Sequence, residues 1–156
     1  MLNNMSQRAA IQSCESKAGT PNVSERGGYC EKPEDVAANP YGHVVDNSLA
    51  NAISQLLVGK TVASFGDGSG GYKAIMDERK EVAVYDAYDG GPFYDVISGG
   101  KVKYLDLTIP QYGLPAYDWI VSVEVAEHVA PEYEFIYIDN ILRHAKRRDN
   151  HIIRHA

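Results

Sequence analysis

The spacing of apolar residues changes near residue 60. Before it, Leu49, Ala52, Ile53, Leu56 and Leu57 recur at helical intervals, so residues 46–57 read as one amphipathic helix. Asp46 or Asn47 supplies its N-cap, and Gly59 ends it. Beyond that point come short runs rich in β-branched and aromatic residues, at Thr61–Phe65, from 82 to 86 or 89, at 102–107 and at Trp119–Val123. Helical spacing returns at about 71–79 and again from about Pro131, where Tyr133, Ile136, Tyr137, Asn140, Ile141 and Ala145 share a face. Proline suits a first helical turn, where its missing N–H is not needed. A last apolar pair within 151–155 makes a short fifth strand. Strands alternating with helices predict an α/β fold, a three-layer α/β/α Rossmann-like parallel sheet.

Residues 1–26 mix Ser, Asn, Gln and Lys with little apolar periodicity and read as a poorly ordered leader, which leaves 27–156 as the domain. With 156 residues, 44% hydrophobic and 23% charged, the composition is that of one globular domain. No apolar run approaches the roughly 18 residues of a membrane span. The amino terminus lacks the basic-then-apolar pattern of a secretory signal, so a cytoplasmic location is the default expectation. Cys14 and Cys30 lie outside any C-x-x-C pair and away from histidines at metal-ligand spacing, so they read as free thiols, with no metal site implied. The net charge of −6 is uneven: residues 81–140 hold eleven acids against Lys101 and Lys103, and residues 141–156 hold five bases against Asp149. The acidic middle argues against a nucleic-acid surface, and the basic tail reads as a solvated helix end.

The chemistry centres on Gly66-x-Gly68-x-Gly70 at the end of the first strand. Such a turn is either an ordinary strand-to-helix connection or a place where the backbone comes close to a nucleotide-like ligand. An acid about 20 residues further on can accept hydrogen bonds from ribose hydroxyls. Asp86 and Asp89 both qualify, and Asp89 is favoured because the Gly90-Gly91-Pro92 turn begins just after it. Asp106 stands near the end of the third strand, and the fourth runs directly into Glu124, Glu127 and His128. Charge is costly to bury within a strand, so these three should face a polar cleft or solvent.

Four pieces in order, Phe65 to Tyr72, Tyr88-Asp-Gly90, Tyr104 to Thr108 and above all Tyr117-Asp-Trp-Ile-Val-Ser-Val-Glu-Val-Ala-Glu-His128, carry a resemblance. The chain resembles the S-adenosylmethionine-dependent methyltransferases of the Rossmann-like class. The resemblance implies S-adenosylmethionine as cofactor and a small-molecule acceptor as substrate. It places Gly66, Asp67, Gly68 and Gly70 along the methionine and ribose, and Asp89 or Asp86 on the ribose hydroxyls. Asp106 and Leu107 would then border the adenine, with Glu124 near the methionine end. His128 is either a base or a cap on the following helix.

Two departures matter. Ser64 stands where most members of that family carry an acid just before the first glycine. The family sheet normally has seven strands, so this one is expected to be truncated and incomplete at its C-terminal edge. An open edge exposes unpaired backbone groups and invites a protein partner or self-association. The alternative to an active enzyme is therefore a non-catalytic cofactor-binding or regulatory fragment of the same fold. Tyr72, Tyr88, Tyr94, Tyr104 and Tyr117 either line an aromatic pocket or serve as packing.

Overall fold

A computed structural model describes residues 2–16, 24, 26–38, 45–147, 149 and 151–154. Five strands form one sheet, β1 (Thr61–Phe65), β2 (Val84–Asp89), β3 (Val102–Tyr104), β4 (Trp119–Val123) and β5 (His151–Arg154). Their order is β3-β2-β1-β4-β5, and every neighbouring pair is parallel. The helices are α1 (Leu2–Ser16), α2 (Pro33–Ala38), α3 (Asn47–Leu56), α4 (Gly71–Arg79), α5 (Tyr94–Ile97) and α6 (Glu134–His144). Parallel strands need crossovers, and α4 supplies the one from β1 to β2 and α6 the one from β4 to β5.

Both faces of the sheet are covered, so its strands read as nearly continuous apolar runs. On one face Ala63, Phe65, Tyr88 and Ile120 pack with Tyr137 and Ile141 of α6. On the other, Val62, Tyr85 and Val121 meet Ala50 and Ile53 of α3 and Met76 of α4. Ala87 and Val102 extend that second face to Tyr94 of α5. Trp119, half-buried, stands in register with Val62 at the amino-terminal end of the sheet. There Asp118 accepts hydrogen bonds from the Thr61 amide at 2.8 Å and the Thr61 hydroxyl at 2.9 Å, tying β4 to the start of β1.

The caps explain the helix ends. Asp46 accepts from the Leu49 amide at 2.9 Å and starts α3, as its sequence position suggests. Gly70, at φ +96°, precedes α4 in a left-handed conformation, and Lys80 closes the same helix in another.

Several sequence expectations are corrected. The leader expected to be poorly ordered is helical over Leu2–Ser16, and Cys14 and Cys30 form a disulfide instead of free thiols. The second strand starts at Val84 because Ala83 and Val84 both bond back to the Lys60 carbonyl in a turn. The third ends at Tyr104, just before Asp106 folds back on Thr108. From Pro131 the chain makes a 3-10 turn to Tyr133 before α6 begins at Glu134. The remainder of the expected leader, residues 1, 17–23 and 25, lies outside the described residues.

Candidate functional site

In an open α/β sheet a crevice forms beyond the carboxyl ends of the strands where the strand order reverses. Here the reversal lies between β1 and β4, since β2 and β3 lie to one side of β1 and β4 and β5 to the other. A cavity of about 370 Å³ lies there, walled by the residues that follow β1, β2, β3 and β4. Gly66, Asp67, Gly68, Asp89, Asp106, Leu107, Glu124 and His128 all border it.

The glycine turn is demanding of its residues. Gly66, Gly68 and Gly70 have φ of +98°, +61° and +96°, a region that L side chains rarely adopt. A Cβ on Gly66 would also lie 2.1 Å from Cγ2 of Val125, because the segment just after β4 passes directly beside the turn. Gly70 borders Val102 and Ser98 and does not line the cavity wall. Asp89 completes the turn: its carboxylate accepts from the Gly68 amide at 2.8 Å and from the Gly91 amide at 2.7 Å. The two amides fix the orientation of an acceptor group with about four lone-pair sites.

Asp86 lies elsewhere. It is three residues before Asp89, and an odd separation along a strand puts two side chains on opposite faces. Its carboxylate accepts from the Tyr117 hydroxyl at 2.8 Å and is 3.9 Å from Lys103, outside the cavity. Tyr117 and Tyr88 are buried and joined hydroxyl to hydroxyl at 3.0 Å, so both serve packing, whereas Tyr72, Tyr94 and Tyr104 border the cavity.

Asp67 borders the cavity, yet its carboxylate points into the protein. It accepts from the Tyr85 hydroxyl and from the Lys73 amide in the first turn of α4, both at 3.1 Å. Burial raises its pKa to about 6, against the opposing effect of hydrogen bonds from Ser64, Lys73 and Tyr85. Ser64 thus serves the acid that follows it in the turn.

Asp106 is equally occupied. It accepts from the Thr108 amide at 2.9 Å, the Thr108 hydroxyl at 2.6 Å, the Arg26 guanidinium at 2.9 Å and the Ser6 hydroxyl. Burial would raise its pKa, but the bonds from Ser6, Thr108 and Arg26 outweigh it and hold the carboxyl below its ordinary value.

After β4, Glu124 sits at φ +56°, a strained conformation for a side chain of its length, at the cavity wall. Glu127 is exposed, and His128 faces the cavity in a short 3-10 turn. The His128 Nε2 lies 3.3 Å from the Tyr29 hydroxyl, with the two rings edge to face at 5.2 Å.

Tyr29 belongs to a part of the site that the sequence did not announce. Ser6, Ala9, Ala10 and Ser13 of α1 form the roof of the cavity, and Arg26 to Tyr29 form one side. Gly28 comes so close to the Gly90 carbonyl that a Cβ would lie 2.3 Å from its oxygen. The Gly27-Gly28 pair was the available signal, readable as a turn but not as a contact.

No protein-family model and no curated protein matches the chain. Among solved structures, the CcbJ methyltransferase from Streptomyces caelestis superposes over 83% of this chain with a TM-score of 0.62 and 10% identity. The methyltransferase domain of bacterial CtHen1 superposes over 64% with a TM-score of 0.50 and 11% identity. The fold is that of the class I methyltransferases. The chain spans 58% and 59% of the lengths of those two structures. Within this methyltransferase fold, the cavity sits where the sheet topology alone would place a ligand.

Proposed function

We propose that the protein transfers the methyl group of S-adenosylmethionine to an oxygen or nitrogen of a small-molecule acceptor. The observation that carries this reading is Asp89, presented at the end of β2 by the Gly68 and Gly91 amides beside three glycines at positive φ. A fixed carboxylate next to side-chain-free backbone fits a ribose diol. The rest of the donor set also fits, since Asp89 and Glu124 give the cavity carboxylates suited to a cationic ligand, while the Asp106 charge is balanced by Arg26.

When bound, the cofactor supplies an electrophilic methyl group on a sulfonium. The residues of the chain do the remaining work. Asp89 holds the ribose, Gly66 and Gly68 keep the wall open along it, and Leu107 offers an apolar surface to the adenine. Asp106 shapes that end of the cavity through Thr108 and Arg26 more than by a contact of its own, since its oxygens are engaged. Glu124 faces the methionine end. His128, which borders the cavity, takes the proton from the acceptor, and the enclosing wall aligns the reactants. A cytoplasmic setting is part of the same proposal; among the described residues no helix is long and apolar enough to cross a membrane.

A second reading, a cofactor-binding module without turnover, draws on Asp67 and Asp106, whose carboxylates are engaged within the protein. Both readings require the cofactor site. Calorimetric titration with S-adenosylhomocysteine, with NAD as control, tests it. Asp89→Ala should weaken binding by roughly 1.5–3 kcal/mol, about ten- to a hundredfold, through loss of charge-assisted hydrogen bonds. Asp86→Ala should leave affinity unchanged. A cooperatively folded chain that does not bind, or one in which only Asp86→Ala matters, refutes the assignment.

A further inference from the structure

The attachment of α1 differs from that of every helix packed on the sheet. Among the described residues, none of the three apolar clusters includes a residue of α1. The helix turns small side chains, Ser6, Ala9, Ala10 and Ser13, toward the cavity and leaves Leu2 and Met5 exposed. Its first turns are held by polar side chains. Asn3 exchanges hydrogen bonds with Gln111 at 2.9 and 3.0 Å, Ser6 bonds Asp106, and Gln7 reaches the Pro92 carbonyl at 2.9 Å and Asp95 at 3.0 Å. Its last turn is held by the Cys14–Cys30 disulfide, which joins it to the residue after Tyr29 in the cavity wall.

Polar contacts of this kind are exchanged for water with small net change in free energy, so they permit opening where an apolar interface would resist it. The disulfide is the strong attachment. With its cysteines 16 positions apart in sequence, it lowers the population of the detached state by roughly a hundredfold in the chain-entropy account. Cys30 is half-buried whereas Cys14 is buried, so Cys30 is the more exposed of the two cysteines a thiolate could attack.

We propose that α1 is a lid over the cavity and that the Cys14–Cys30 disulfide is its latch, which a dithiol reductant releases to open the site. As a device controlling ligand access, it rests on the cavity being the cofactor site. In the releasing step a dithiol gives two electrons and two protons to the cystine. The Sγ–Sγ bond breaks, thiols form on Cys14 and Cys30, and the reductant becomes a disulfide. Where thiols are generally kept reduced, disulfides that do form are usually transient or redox-sensing, which suits a latch.

The test compares four forms of the full chain: oxidised, reduced with dithiothreitol, Cys14→Ser and Cys30→Ser. Thiol titration verifies the redox state, hydrogen exchange follows the amides of residues 2–16, and S-adenosylhomocysteine is the probe for association rate. In the three latch-free forms the α1 amides should exchange about tenfold faster or more, while those of β1 and β4 keep their protection, and the probe should associate correspondingly faster. Unchanged α1 exchange after verified reduction overturns the proposal. So does loss of protection across β1 and β4, which would make the disulfide a support of the whole fold. Faster α1 exchange with no probe binding in any form upholds the lid and rejects the cofactor reading.

Discussion

Gly66→Ala tests the closeness of β1 and β4 at the crevice. Two separable costs follow from the structure. At φ +98° an alanine is outside the comfortable left-handed region, which costs about 1–3 kcal/mol. Its Cβ would lie 2.1 Å from Cγ2 of Val125, whereas carbon pairs prefer about 3.5–4.0 Å. Valine is stiff at χ1, so the two segments that follow β1 and β4 must part instead, with an overpacking cost of about 1–3 kcal/mol. Together they give a loss of about 2–6 kcal/mol. Val125→Ala removes the colliding methyls at a cost of about 1 kcal/mol, since Val125 is partly buried against the α6-side core. The double variant should therefore be more stable than the sum of the single effects implies, by about 1–3 kcal/mol, with the backbone cost remaining. Urea denaturation of all four proteins measures this coupling. Additivity within about 0.5 kcal/mol refutes the close approach of Val125 to the turn.

Asp67 sets a pH dependence of definite sign. Because its pKa is raised from 3.8 to about 6, the folded chain keeps a proton between those values that the unfolded chain releases. Stability from this group is greatest below the unfolded pKa and falls as pH rises through the folded one, by about 3 kcal/mol in all. Subtracting the urea stabilities of Asp67→Asn from those of the unsubstituted protein at pH 4 and pH 7 should show the fall, and parallel curves would contradict it. Gly28→Ala should cost about 1–3 kcal/mol and disturb the Tyr29–His128 contact, visible in the His128 ring resonances, because its Cβ meets the Gly90 carbonyl. Gly59→Ala, in open space at φ +69°, should cost about 1–2 kcal/mol and leave those resonances unmoved.

The sheet was legible where burial on both faces left continuous apolar runs. Thr61–Phe65 and Trp119–Val123 match the strands residue for residue, and the helix between β1 and β2 runs from Gly71 to Arg79 as its spacing indicates. Spacing alone made both Asp86 and Asp89 eligible, with the following glycine turn favouring Asp89; the alternation of side chains along β2 puts Asp89 at the cavity and Asp86 on the opposite face. What stayed hidden is the roof. Periodicity reveals a helix only when it buries large apolar residues, and α1 turns serines and alanines inward. Its disulfide was hidden for the same reason, since only the docked helix brings Cys14 to Cys30. The engagement of Asp106 by Ser6 and Arg26 follows from that docking, so its internal role was beyond the reach of local pattern.

Trp119 is the only tryptophan in the sequence, and its place opposite Val62 makes it an optical reporter of the sheet. Helix α1 contains no aromatic residue, so tryptophan emission is blind to it, whereas far-ultraviolet circular dichroism counts its fifteen residues with the rest. Melting curves from the two signals therefore weigh the molecule differently. Any gap between them reads out, without a label, how far the roof comes away before the sheet gives way.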